Sequence, residues 1–182
     1  MSAARRAGVA AAFAAAVVCA APAAVRADAG EWRFGVDAFG AALHPPGVWQ
    51  LGAGAGVHAA YGLSTAWSLA ASASWRAVLP ATDLNGDPVT AKHLAGAVVG
   101  ATFALDVFRI VPFLTAGAGA YVVGSKEGVR LAPAAELGLS LEYLLTRSIA
   151  VGVELGRARL LWLDGALVWG VDFGLRASYV LW

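Results

Sequence analysis

The side chains of this chain that could carry chemistry are few, so their spacing decides much. There are three histidines, His44, His58 and His93, and a single cysteine, Cys19. No serine lies two residues from any of these histidines, and no Gly-x-Ser-x-Gly elbow occurs, so no local nucleophile and base are written into the sequence. Asp83-Leu84-Asn85-Gly86-Asp87 sets acidic or amide oxygens at alternate positions, as the start of a calcium loop does. Pro88 stands where that loop needs glycine and Leu94 where it needs its distal glutamate, so a plain surface turn is expected. Catalytic residues, cofactors and metal sites are not expected, nor is enzyme activity.

What remains is a set of charges in phase with small residues: Arg33, Asp37, Arg76, Lys92, Glu136, Glu142, Glu154, Asp172 and Arg176. The last of them lie in the clearest segment. Trp169, Val171, Phe173, Leu175, Ala177, Tyr179 and Leu181 fall on one parity, and Gly170, Asp172, Gly174, Arg176, Ser178 and Val180 on the other. A period of two puts these sets on opposite faces of a strand. In the second strand-like segment Trp49, Leu51, Ala53, Ala55, Val57, Ala59 and Tyr61 oppose Gln50, Gly52, Gly54, Gly56 and His58. In the third, Trp67, Leu69, Ala71, Ala73 and Trp75 oppose Ser68, Ala70, Ser72, Ser74 and Arg76. The sixth sets Leu137, Leu139, Leu141, Tyr143 and Leu145 against Glu136, Gly138, Ser140 and Glu142, and the seventh sets Ile149, Val151, Val153 and Leu155 against Gly152, Glu154 and Gly156. The charges would cost a few kcal/mol each facing mid-bilayer lipid. Turned inward, four positives and five negatives can pair.

Composition agrees with a membrane barrel. The chain is 59% hydrophobic and 14% charged, with mean hydropathy +0.68, whereas about a quarter of residues are charged in soluble domains. The stretch free of Asp, Glu, Lys and Arg from 38 to 75 carries glycines at 52, 54, 56 and 62, each of which disfavours a helix. The N-terminus is expected to be a signal peptide, residues 1–27: Arg5 and Arg6, an Ala/Val-rich run over 8–21, then two small-residue sites ending at Ala23 and Ala27. Cleavage after Ala27 is preferred because it also removes Arg26. Val18 before Cys19 argues against lipidation, and the general secretory route is expected. The remaining 155 residues, 28–182, form one domain with ten basic against twelve acidic residues, no cysteine and no basic patch for nucleic acid.

Eight strands are predicted over 32–41, 48–61, 66–78, 91–105, 111–123, 130–145, 149–162 and 167–182. Odd-numbered connections (42–47, 79–90, 124–129, 163–166) are expected outside and longer; even-numbered ones (62–65, 106–110, 146–148) are tight periplasmic turns. Trp32, Tyr61, Trp67, Tyr143, Tyr179 and Trp182 would form one interfacial belt, and Trp49, Trp75, Trp162 and Trp169 the other. The fifth strand is the least regular, with Phe113 and Tyr121 expected inside beside Gly117 and Gly119. The fold class is thus all-β, an eight-stranded antiparallel up-and-down transmembrane barrel. At that strand number side chains fill the interior, which predicts a packed polar plug.

Over nearly all of 28–182 the chain resembles the small outer-membrane β-barrel family, the OmpA-type and OmpX-type barrels. The likeness rests on the leader, the eight alternating strands, the run from Pro112 through Ala120, the turn from Tyr143 to Gly152, and the strand ending in Trp182. It implies an outer-membrane protein of a Gram-negative envelope, surrounded by outer-membrane lipids, whose Tyr179 and Trp182 are read by the barrel assembly machinery. Arg176 and Ser178 depart from the usual apolar positions of that signal. Some outer-membrane barrels modify lipid A with His/Ser/acid groups at the outer rim; no such local cluster is present here. The expectation is therefore a monomeric structural or surface-interaction barrel, meeting an extracellular or envelope partner through its loops, mainly 79–90. A narrow channel or small-solute transporter is the alternative, with a lipid-modifying enzyme behind it.

Overall fold

The computed structural model describes residues 29–45, 48–82, 88–89, 92–105, 110–125, 128–163 and 165–182. The expected leader and the run 83–87 lie outside the described residues. The strands are β1 (Trp32–His44), β2 (Gln50–Gly62), β3 (Trp67–Val78), β4 (Ala81–Thr82), β5 (Pro88–Val89), β6 (Lys92–Ala104), β7 (Ile110–Ser125), β8 (Gly128–Leu144), β9 (Ile149–Leu163) and β10 (Ala166–Leu181). Eight close a barrel in the order β1-β10-β9-β8-β7-β6-β3-β2, while β4 and β5 pair only with each other inside the connection predicted over 79–90. The closing seam runs antiparallel from Trp32 opposite Leu181 to His44 opposite Trp169, so neither end strand presents an open edge. His44, assigned to a loop by the sequence, is the last residue of β1 because its ladder with Trp169 continues that far.

Connections at the terminal end are built by one device used twice. Ser64 Oγ accepts from the Ala66 and Trp67 amides at 3.3 and 3.1 Å, and Thr146 Oγ1 accepts from those of Ser148 and Ile149 at 3.2 and 3.0 Å. A short hydroxyl side chain thereby satisfies turn donors that no ladder reaches. At the far end β7 and β8 run to Ser125 and Gly128, leaving two residues between them where six were predicted, and β9 and β10 are likewise two residues apart. Only the connection 79–91 is long. The expected asymmetry of loops thus rests on that one connection.

The two faces follow the sequence parity except in β9. Leu139 faces Gly156 but the next residue, Ser140, faces Glu154, and on the other side Asp172 faces Arg157 while Gly174 faces Glu154. Leu155 is the extra residue of a β-bulge, which flips the parity of everything after it. Strict alternation would have sent Arg157 and Arg159 into lipid. The bulge turns both inward, where Arg159 is completely buried, and leaves Leu160 and Trp162 facing out, 46% and 58% exposed.

Inside, the barrel is layered. At the far end Leu43, Val78, Leu94, Val123, Leu161 and Val168 pack with Tyr121 as an apolar cap. Charges fill the middle, and near the terminal end Ala104, Val111 and Phe113 form a smaller apolar cluster. The cap went unpredicted because an inward Leu or Val on one strand looks like noise until the strands are superposed.

Candidate functional site

The charge cluster at mid-barrel is built on Asp172 of β10. Its Oδ2 accepts from Arg76 at 2.8 Å and from Arg159 at 2.7 Å. Arg159 Nε also donates to Glu136 Oε1, which takes the Tyr121 hydroxyl at 2.7 Å. Tyr121 lies between the two guanidiniums, 5.1 Å from Arg76 and 4.9 Å from Arg159, and Arg76 also sits over Phe39 at 4.7 Å. Cation–π contact of this kind gains strength where water is absent. Gly96 makes room for it: a Cβ there would collide with the Tyr121 ring and with the Ala120 carbonyl.

A second group lies toward the terminal end. Arg157 forms a two-pronged pair with Glu154, both contacts 2.7 Å, and its third nitrogen is 3.9 Å from Glu136. Arg33 bridges Glu142 at 2.8 Å and Glu31 at 3.2 Å, beneath the face of Phe113 at 4.9 Å. Arg176 donates to Asp37 at 3.2 Å and Ser140 at 3.0 Å, and lies 3.5 Å from Glu142. Of the nine charges singled out from the sequence, eight stand in these two groups. Lys92 does not. It occupies the first position of β6 at the far rim, above the apolar cap, and makes no ion pair among the described residues. Three members were missed: Glu31 precedes the predicted first strand, and Arg157 and Arg159 required the bulge. Gly156 beside two arginines of the wrong parity is the signal that could have found them.

Asp37, His58 and Ser178 stand in a row that no local motif announced. His58 Nδ1 lies 2.9 Å from Asp37 Oδ2 and Nε2 lies 3.1 Å from Ser178 Oγ. A carboxylate only accepts, so Nδ1–H donates to Asp37 and Nε2 faces the serine hydroxyl. The ring reaches from β2 over β1 to β10, across Gly35, where a Cβ would strike it. Ser178 is 5% exposed, and the row ties β2 and β1 to β10 across the closing seam, with His58 also on the wall of the neighbouring cavity. That cavity, about 80 Å³, lies between the charges of Arg33, Glu142 and Arg157 and a small-residue wall including Ser72, Gly100 and Thr115. A polar cavity of that size has room for several waters. No three His, Cys, Asp or Glu side chains among the described residues are placed to hold a metal ion.

The outer surface carries the aromatics in two bands. Trp32 stacks on Phe34 at 5.6 Å and meets Tyr61 at 5.0 Å, and Trp67 meets Phe103 at 5.0 Å, all at the terminal end. At the far end Trp49 and Trp169 gather around His44, and Trp75 stacks with His93 at 5.8 Å. Between the bands the outward residues are mostly Ala, Val and Leu, with Phe173 beside them; Leu69, Val99, Leu137, Phe173 and Leu175 are each more than half exposed.

A closed eight-stranded barrel, charged within, apolar without and banded with aromatic rings, is the architecture of the small outer-membrane β-barrels. No protein-family model and no curated protein matches the chain. Among solved structures it is similar to Neisserial surface protein A, with 12% identity and a TM-score of 0.65 over 82% of this chain and 98% of that one. It is similar also to OprG of Pseudomonas aeruginosa, at 10% identity and TM-score 0.57 over 87% and 99% of the two chains. Ail, the attachment invasion locus protein of Yersinia pestis, solved with the heparin analogue sucrose octasulfate, gives 15% identity and TM-score 0.53 over 84% and 99%. At these identities the likeness is one of fold.

Proposed function

We propose that the chain loses residues 1–27 on export by the general secretory route and inserts as a monomeric outer-membrane barrel. Its role is structural or one of surface interaction through its outer connections, chiefly 79–91. The observation that carries this is the closed far half of the interior: an apolar cap of buried Leu43, Val78, Leu94, Leu161 and Val168 lies above completely buried Arg76 and Arg159, beyond the cavity. A pathway through that half would have to break the buried pairs of Arg76 and Arg159 with Asp172 and Glu136. Two proteins of like fold bear names of surface and attachment proteins, which supports an outward-facing role. Outer-membrane lipids would be its surroundings, and the barrel assembly machinery would read Tyr179 and Trp182.

Planar-bilayer recording tests this directly, and no steady single-channel current is expected. A steady current abolished by Glu142→Gln or Arg76→Met would establish a narrow channel instead. Lipid A mass spectra should be the same with and without the protein; a changed acylation pattern would make it a lipid-modifying enzyme.

A further inference from the structure

Three rings meet on the lipid face at the far end of the barrel. His44 lies flat on Trp49, centroids 4.7 Å apart and planes 10° apart, and meets the edge of Trp169 at 5.3 Å. The two indoles are themselves 4.7 Å apart at 82°. His44 Nδ1 is 3.0 Å from the Val48 carbonyl oxygen. A carbonyl only accepts, so Nδ1 carries the proton and, in the neutral ring, Nε2 keeps its lone pair. Nε2 makes no hydrogen bond among the described residues and is not buried. Trp49 and Trp169 remain 50% and 39% exposed.

These groups define what can dock. A bare acceptor cannot hydrogen-bond a phosphate oxygen, which is itself an acceptor, but it takes a hydroxyl well. Broad indole surfaces with one apolar face available suit a flat, partly apolar ring bearing a polar tip. A pyranose has both, with C–H bonds on its face and hydroxyls at its rim. The cluster also lies where a lipid headgroup sits, in the aromatic belt at the end opposite the termini. We propose that His44, Trp49 and Trp169 form a recognition site for the sugar headgroup of an outer-leaflet glycolipid. His44 Nε2 accepts from a ring hydroxyl, and the indoles pack against the sugar's C–H face. The Trp75–His93 stack offers a second imidazole–indole pair on the same rim.

The test places the mature barrel in phosphatidylcholine nanodiscs containing either digalactosyl diacylglycerol, which has sugar rings and no phosphate, or phosphatidylmethanol, which has phosphate and neither a headgroup hydroxyl nor a sugar ring. Both leaflets carry the probe, so the result is independent of the barrel's orientation. The Trp49 and Trp169 indole N–H resonances are expected to shift with the galactolipid and stay in place with phosphatidylmethanol. His44→Phe keeps a flat ring against Trp49 and removes the acceptor, so it should lose the galactolipid shift while retaining the heat-modifiable fold. No shift with galactolipid, an equal shift with phosphatidylmethanol, or an undiminished shift in His44→Phe would each overturn the proposal. The wild-type comparison of the two lipids decides by itself if the variant does not fold.

Discussion

Asp172 is the residue whose loss should be felt most, and the structure says how much. It is 2% exposed and is shared by Arg76 and Arg159, neither of which reaches solvent. Without it Arg159 still holds Glu136, but Arg76 retains only Ser74, at 3.1 Å, and the faces of Phe39 and Tyr121. Arg76 Nε already has no partner. Removing one member of a buried pair costs about 3–5 kcal/mol, mostly for the charge left behind. Asp172→Asn keeps the shape and one acceptor, so about 3 kcal/mol is expected; Asp172→Ala should approach about 5 kcal/mol. If the orphaned guanidinium is the cause, Arg76→Met added to Asp172→Asn should lose less than the two single losses summed. Urea unfolding of the barrel in lipid vesicles, followed by tryptophan emission and the gel shift between boiled and unboiled samples, measures all five proteins. Losses under about 1 kcal/mol that simply add, as for solvated surface pairs, would refute the reasoning.

Deleting Leu155 removes the surplus residue and leaves Ser140 opposite Glu154 and Leu139 opposite Gly156 in an unbroken ladder, so Arg157 and Arg159 should stay inward. The heat-modifiable species should persist in the deletion as in Leu155→Ala; its loss in the deletion alone would refute the assignment of Leu155 as the extra residue. Gly96→Val drives a side chain into Tyr121 and the Ala120 carbonyl and should destabilise by about 1–3 kcal/mol in the same unfolding assay. Gly40→Ala should be tolerated, since the nearest atom to the new Cβ is 4.0 Å away. If Trp182 is an assembly signal, deleting it should lower the folded fraction in outer membranes of cells while purified protein refolds into detergent as before; equal losses in both would assign it to stability.

The strands were legible because a barrel wall has lipid on one side and packed polar groups on the other. Every residue of β10 from Trp169 to Leu181 answers that demand locally, and its parity could be read without knowing any neighbour. The same logic placed Arg33, Asp37, Arg76, Glu136, Glu142, Glu154, Asp172 and Arg176 inside. It could not place Arg157 and Arg159, because a bulge is a relation between strands: Leu155 is surplus only relative to Leu139 and Ser140 on β8. Lys92 had the inward parity too, but parity does not report height, and at the rim a cation can meet water instead of a carboxylate.

Partnership was beyond the sequence for the same reason. Arg76 and Asp172 are 96 residues apart, and His58 and Ser178 are 120 apart. Their meeting depends on register and on barrel closure, both set by all eight strands together. Local alternation thus determined by itself that the chain forms strands with an apolar outside and a charged inside, since each residue meets lipid or lumen on its own. Only the tertiary structure decided which charges pair, that an apolar cap seals the far end, and that His44 rests between two tryptophans. Those are contacts across strands, and the energy of a contact belongs to the pair.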